Sequence, residues 1–291
     1  MLYRGKVYRP PSESSSLILQ LTVGCPHNSC RFCSMYKEKD FDIRSVDEIK
    51  RHVLKAREFH PRTVRIVFLA DGNSIIMKTD ELLEVLNFVT ENFPGLERIT
   101  TYGSAQFVNL KSAEELKKLR EAGLSRIHTG MESGSADVLE RINKGTDPAD
   151  IVEAGLKCIE AGLELSEYYL VGAGGRALSE LHARESARVL NRIDPDFIRF
   201  RTFMPVPGTE LHQDYEDGEF ELLSPHQALQ EMKILLENLT GISSEVLSDH
   251  ISNYWDIKGS MPEDRDSMLA EVDKALKVDE DKFRDPARVN L

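Results

Sequence analysis

Three of the chain's four cysteines, Cys25, Cys30 and Cys33, fall in one short segment, GCPHNSCRFCSMY, spaced by four residues and then by two. Three thiolates on one short loop can wrap a compact, soft metal centre. Four-thiolate ligation is the usual electron-transfer arrangement, but the remaining cysteine, Cys158, lies far along the chain in a predicted helix. Three thiolates on an iron–sulfur cluster leave one iron open, and an open position is what a metal needs to bind a substrate or cofactor. The same cysteines with His27 or another histidine would also suit a zinc site. The spacing leaves both metals standing, although no second ligand pair of the zinc-finger kind accompanies the triplet.

The elements that must position this loop are short. Apolar or β-branched runs at 16–24, 63–70, 98–103, 125–131, 164–172 and 196–204 read as strands. Between them, 46–59, 79–92, 112–122, 135–161 (interrupted near Gly145) and 178–193 read as helices. Ser112 with Glu115 reads as a capping box, and Gly123 and Gly162 sit where helices stop. Six strand–helix units in series predict an α/β fold, a parallel sheet with helices outside, and right-handed crossovers can curl such a sheet into a partial (β/α)6 TIM-like barrel. Full closure takes eight units. Pattern alone does not separate the open barrel from a doubly wound sheet, yet in either fold ligands bind at the carboxyl ends of the strands. The cysteine segment follows the first predicted strand and so falls at that end.

After residue 210 the alternation stops. The segments 226–239 and 268–278 are helix-like, so the chain divides into a barrel at 1–210 and a small C-terminal helical extension at 211–291.

Composition bounds the function. The formal net charge is −12, which argues against nucleic acid or an anionic membrane as the main partner. No apolar run approaches the length of a membrane span, and residues 1–16 lack the apolar core of a signal peptide, so a cytoplasmic location is expected. In that compartment a cysteine cluster is metal-binding or catalytic rather than a disulfide framework.

A cysteine triplet after the first strand of a β/α repeat, with Phe32 before the last cysteine and CSMY from that cysteine on, resembles the radical S-adenosylmethionine superfamily. The usual superfamily spacing is three then two, so this chain carries one inserted residue. The resemblance covers residues 15–210, and SRIHTGMESGSADVLERINKGTD looks like the branch holding oxygen-independent coproporphyrinogen oxidases, methylthiotransferases and the elongator acetyltransferase subunit. It implies a [4Fe–4S] cluster on Cys25, Cys30 and Cys33, with S-adenosylmethionine chelated at the open iron. Asp71, Gly72 and Asn73 of LADGNS occupy the place of the motif that holds the cofactor's amino group. Small residues there let carbonyls approach a cationic amine, though Asp-Gly is equally an ordinary turn. Glu132 matches a residue that contacts the ribose. Lys144 falls where an arginine pairs with the methionyl carboxylate, and lysine lacks that residue's bidentate fork. Ser104 is a candidate hydrogen-bonding partner of the cofactor. Phe32 lies under the adenine by the same resemblance, or simply packs the loop. LVGAGG (170–175) resembles the glycine motif near the adenine, or is a strand-to-helix turn.

The implied activity is reductive cleavage of S-adenosylmethionine to a radical that abstracts hydrogen from a small-molecule substrate, fed by an electron donor such as flavodoxin or ferredoxin. The alternatives are a radical enzyme that modifies a peptide or macromolecule, and a non-enzymatic haem or metal-cofactor carrier related to the coproporphyrinogen oxidases. His250, Tyr254 and Trp255 could cap the barrel mouth or be ordinary packing. His128 and His182 read as structural.

Overall fold

The computed structural model describes residues 3–59 and 64–284. Its strands are β1 (Leu17–Gln20), β2 (Thr22–Val23), β3 (Asp42–Ile43), β4 (Ile66–Ala70), β5 (Arg98–Tyr102), β6 (Leu124–Glu132), β7 (Glu164–Val171), β8 (Phe197–Thr202), β9 (Glu245–Leu247) and β10 (Lys258–Ser260). Eight of them make one mostly parallel sheet in the order β1-β4-β5-β6-β7-β8-β9-β10, open at both ends, and β2 pairs with β3 alone. This is the expected α/β partial barrel. Its helices are α1 (Val46–Phe59), α2 (Thr79–Asn92), α3 (Ala105–Val108), α4 (Ala113–Glu121), α5 (Ala136–Arg141), α6 (Pro148–Glu160), α7 (Gly175–Ile193), α8 (Glu210–Glu216), α9 (Pro225–Asn238) and α10 (Arg265–Ala275). The described residues form two compact units, one within residues 1–28, 35–129 and 153–165 and the other within residues 29–34, 130–152 and 166–291.

In the first unit β1, β4 and β5 run parallel, and each crossover carries a helix. The strand β4 reads IVFLA without alternation because a parallel strand is covered on both faces. The helix α1 buries Ile49, Val53 and Ala56, and α2 buries Leu82, Val85, Leu86 and Val89, the 3.6-residue stripe the sequence carries. Ser112 Oγ accepts from Glu115 N at 3.1 Å while Glu115 returns the bond to Ser112 N at 2.9 Å, so the predicted capping box forms. His128 is structural, as expected. Its Nε2 lies 3.1 Å from Glu13, and both residues are buried. Burial raises the Glu13 pKa, and hydrogen bonds from His128 and Ser16 outweigh it to leave the carboxyl below its ordinary value.

In the second unit β7, β8 and β9 are parallel and β10 is antiparallel to β9. The region after 210 thus contributes two strands as well as its helices. Three-residue strands offer too few positions for a period-two pattern, and the sequence hides them. The predicted helix over 135–161 is two, α5 and α6. Asn143 and Gly145 take left-handed φ of 49° and 74°, and Pro148 opens α6. His182 is fully buried: its Nε2 bonds to Leu170 O at 3.1 Å and its Nδ1 to Ser133 Oγ at 2.8 Å. Burial lowers its pKa, so it is a neutral packing histidine. Glu231 Oε1 is 3.5 Å from this ring, but with the imidazole neutral that contact is no ion pair.

Candidate functional site

The sequence candidates gather in two groups, one in each unit. In the first, Asp71 follows β4 with a fully buried side chain. Its Oδ2 accepts from Gln20 Nε2 at 3.0 Å, Gly24 N at 3.1 Å and Lys39 Nζ at 2.9 Å. Asp71 N donates to Thr22 Oγ1 at 3.1 Å. One carboxylate oxygen therefore ties the end of β4 to the start of the cysteine segment. The other, Oδ1, is buried with no hydrogen-bond partner among the described residues. A buried, unsatisfied carboxylate oxygen is costly unless a donor reaches it, and a ligand amine is such a donor.

Gly72 is glycine for a packing reason that the sequence did not disclose. A Cβ there would lie 3.0 Å from Cys25 Cβ, 3.0 Å from the Tyr36 ring and 3.2 Å from Gly24 O. Asn73 joins two other candidates. Its Oδ1 accepts from Ser104 N at 2.6 Å and Ser104 Oγ at 2.9 Å, and its Nδ2 lies 3.5 Å from Cys25 Sγ. Cys25, Asn73 and Ser104 are thus one bonded chain.

In the second unit Cys30 and Cys33 sit in the segment 29–34, with Cys33 N donating to Cys30 O at 3.3 Å. Arg31, between them, is the anchor that sequence reasoning missed. It donates from Nε to Glu210 at 3.0 Å, from Nη2 to both oxygens of Asp214 at 3.0 Å and from Nη1 to Arg141 O at 3.1 Å. Its main chain bonds to Ile142 O and to Leu211 N, both at 3.0 Å. Only the CRFC spacing could have flagged it. Phe32 packs on the apolar cluster of Val138, Ile142, Leu170, Ala173, Phe203, Leu211 and Phe220 while staying partly exposed. Lys144 Nζ stands 5.9 Å from its ring centroid.

Glu132 ends β6 with φ of 61° and pairs with Lys144 at 3.1 Å, both side chains nearly buried. Glu167 on β7 joins this pair and was also missed, because a lone Glu in ELSEYYLVG reads as an ordinary strand residue. It is 1% exposed, and its Oε2 has no partner among the described residues. Burial pushes its pKa up to about 8; Lys144 and a Met131 main-chain bond pull against that, and Glu132 adds to it. Glu167 is therefore protonated at neutral pH and puts no second negative charge beside Lys144.

A stability consequence follows. The folded pKa lies above the usual 4.5, so Glu167 favours the fold fully below pH 4.5, and that contribution is lost as pH rises through 8. Urea midpoints of wild type should fall across that window by the equivalent of about 3–5 kcal/mol from this group. Glu167→Gln, a neutral isostere, should flatten the slope; an unchanged slope would mean the carboxyl ionises without cost.

Cys25, Cys30 and Cys33 are partly exposed thiols outside any disulfide, whereas Cys158 is buried in α6. Among the described residues no three His, Cys, Asp or Glu side chains are already gathered about one point. Accessible thiols are the soft donors that an iron–sulfur cluster takes, and Cys158 is not accessible.

The family model of the radical SAM superfamily matches residues 19–183, and the chain belongs to that superfamily. It is 21% identical over 248 residues to an uncharacterised protein of Methanocaldococcus jannaschii, covering 82% of this chain and 74% of that one. It is 27% identical over 221 residues to the anaerobic magnesium-protoporphyrin IX monomethyl ester cyclase of Cereibacter sphaeroides, covering 74% of this chain but only 34% of the relative. Among solved structures, methylornithine synthase superposes with a TM-score of 0.55 at 17% identity, over 88% of this chain and 68% of that one, which supports the fold. The protein is a radical SAM enzyme that uses a [4Fe–4S] cluster and S-adenosylmethionine. The non-enzymatic haem or metal carrier weighed from the sequence gives way to that reading.

Proposed function

We propose that Cys25, Cys30 and Cys33 bear the cluster, that the chain holds S-adenosylmethionine with Asp71, Asn73, Glu132 and Lys144, and that it acts on a small molecule. Bound together, the reduced cluster and the cofactor supply a 5′-deoxyadenosyl radical that abstracts hydrogen from the substrate. The residues do the positioning. Asn73 orients Cys25 while held by Ser104, and the open oxygen of Asp71 suits a cationic amine. Glu132 can accept from two ribose hydroxyls, and Lys144 offers charge to a carboxylate. Phe32 presents an apolar face beside Lys144. Gly72 gives the loop its close approach to Cys25.

The observation that supports this best is the bonding of Asn73 to both Cys25 and Ser104, because it joins the cysteine segment to the loop after β4. The electron donor on this reading is a low-potential protein such as flavodoxin or ferredoxin. The acidic balance of the chain speaks for a small molecule over RNA.

The test is anaerobic reconstitution with iron and sulfide, then dithionite and S-adenosylmethionine. About four irons per chain with 5′-deoxyadenosine formed is expected for one cubane. Zinc, or no cleavage, would overturn the reading. Glu132→Gln should keep its iron and bind S-adenosylmethionine roughly ten- to a hundredfold more weakly, the cost of a charged hydrogen-bond acceptor. If iron is lost as well, Glu132 serves the fold.

A further inference from the structure

The strand β8 separates two chemistries by alternation. Ile198 and Phe200 are buried. Phe200 meets Tyr169 edge-on at 5.8 Å, and Tyr169 bonds to Glu231 of α9 at 2.9 Å, so this face lies toward the helices. Phe197, Arg199 and Arg201 alternate with it and remain partly exposed. Arg199 is engaged: its Nε donates to Ser166 Oγ at 3.2 Å, and its Nη1 lies 3.9 Å from Asp249. The Arg201 side chain makes no ion pair or hydrogen bond among the described residues.

The residue after Arg201 is fastened to a histidine. Thr202 N donates to Ser252 Oγ at 3.1 Å. The hydroxyl and main-chain N–H of Ser252 both point at His250 Nδ1, at 2.7 and 3.1 Å. That nitrogen is the acceptor, so the ring proton sits on Nε2, where no acceptor meets it among the described residues. Burial and then the charge of Arg201 hold the His250 pKa at about 4, and the ring is neutral under ordinary conditions.

A guanidinium and an imidazole N–H thus stand on either side of Thr202, the first next to it in the chain and the second bonded to it through Ser252, and neither has an acceptor among the described residues. Arg201 is partly exposed near the carboxyl end of β8, the end at which this fold binds ligands, so its guanidinium is open to an incoming acceptor. We propose that Arg201 and His250 form the binding site for a carboxylate group of the substrate. One uncompensated positive charge matches a monoanion better than a dianionic phosphate, and the planar fork of arginine fits a carboxylate's two oxygens. Calling the bound molecule the substrate rests on the radical-enzyme reading; the anion site rests on its own geometry.

The probe is acetate, compared with chloride at equal ionic strength, and the readout is the thermal midpoint of the reconstituted protein. About 0.1 M acetate should raise the wild-type midpoint by about 2 °C relative to chloride, as expected for a site with a Kd of about 10 mM. Arg201→Gln should abolish that difference, and Arg201→Lys, which keeps the charge but loses the fork, should retain less than half of it. An equal rise in Arg201→Gln overturns the proposal, as does a larger rise with phosphate than with acetate. If Arg201→Gln does not fold, Arg201→Lys decides: a full wild-type rise overturns the fork. The absence of 5′-deoxyadenosine from wild type would sink the radical reading and leave an Arg201-dependent acetate effect standing.

Discussion

Cys30→Ala will lose its iron and form no 5′-deoxyadenosine. A cluster held by three thiolates has no spare protein ligand, and removing one leaves two irons without protein bonds. Rescue by the fourth cysteine is closed, because Cys158 is fully buried within α6. The loss will not come from unfolding. Cys30 is partly exposed, and its segment is held by Arg31 through Glu210, Asp214 and Arg141 O. Far-ultraviolet circular dichroism should therefore match wild type while iron content falls to background. Cys158→Ala supplies the contrast and should keep its iron. Retained iron and cleavage in Cys30→Ala would refute the ligand assignment.

Glu231→Ala will cost the fold heavily, by about 3–5 kcal/mol, the range for removing one partner of a buried charged network. Glu231 is completely buried in α9, and three groups depend on it. Tyr169 Oη donates to it at 2.9 Å, Gly172 N at 2.7 Å and Ser179 Oγ at 2.5 Å. Alanine would leave a phenol, a main-chain N–H and a hydroxyl unsatisfied, each with its desolvation cost. Burial first, and then the Glu231 carboxylate, hold the Tyr169 pKa well above its ordinary value, so the phenol stays a donor. Glu231→Gln keeps one acceptor oxygen and should lose less. Urea unfolding at neutral pH gives both numbers. A loss under about 1 kcal/mol for alanine would place Glu231 among ordinary surface residues.

The fold was legible where periodicity is long. The helices over 46–59 and 79–92 appear with the boundaries expected, because each carries an uninterrupted apolar stripe. The strands β9 and β10 were not legible, being three residues each. The candidate site was read from the sequence where residue type alone carries the chemistry, as with the cysteine triplet. Arg31, Glu167 and Glu231 were hidden for a common reason. A charged residue in a sequence reads as solvated, and only tertiary packing turns it into an anchor, a neutral acid or a clamp. Asn73 and Ser104 were named as separate candidates. That they are hydrogen-bonded to each other depends on β4 and β5 lying side by side, which local pattern does not specify.

The way Arg31 is held has an electrical consequence. Between Cys25 and Cys33 it is the only residue with a permanent positive charge, and that charge is already matched by Glu210 and Asp214. Thiolates on this segment, and any anionic centre built on them, receive little charge relief from their own loop. Adding an electron to such a centre is correspondingly uphill, since net charge around a cluster is among the factors that set its potential. Neutralising Glu210 and Asp214 would free the guanidinium's field and make the same centre easier to reduce.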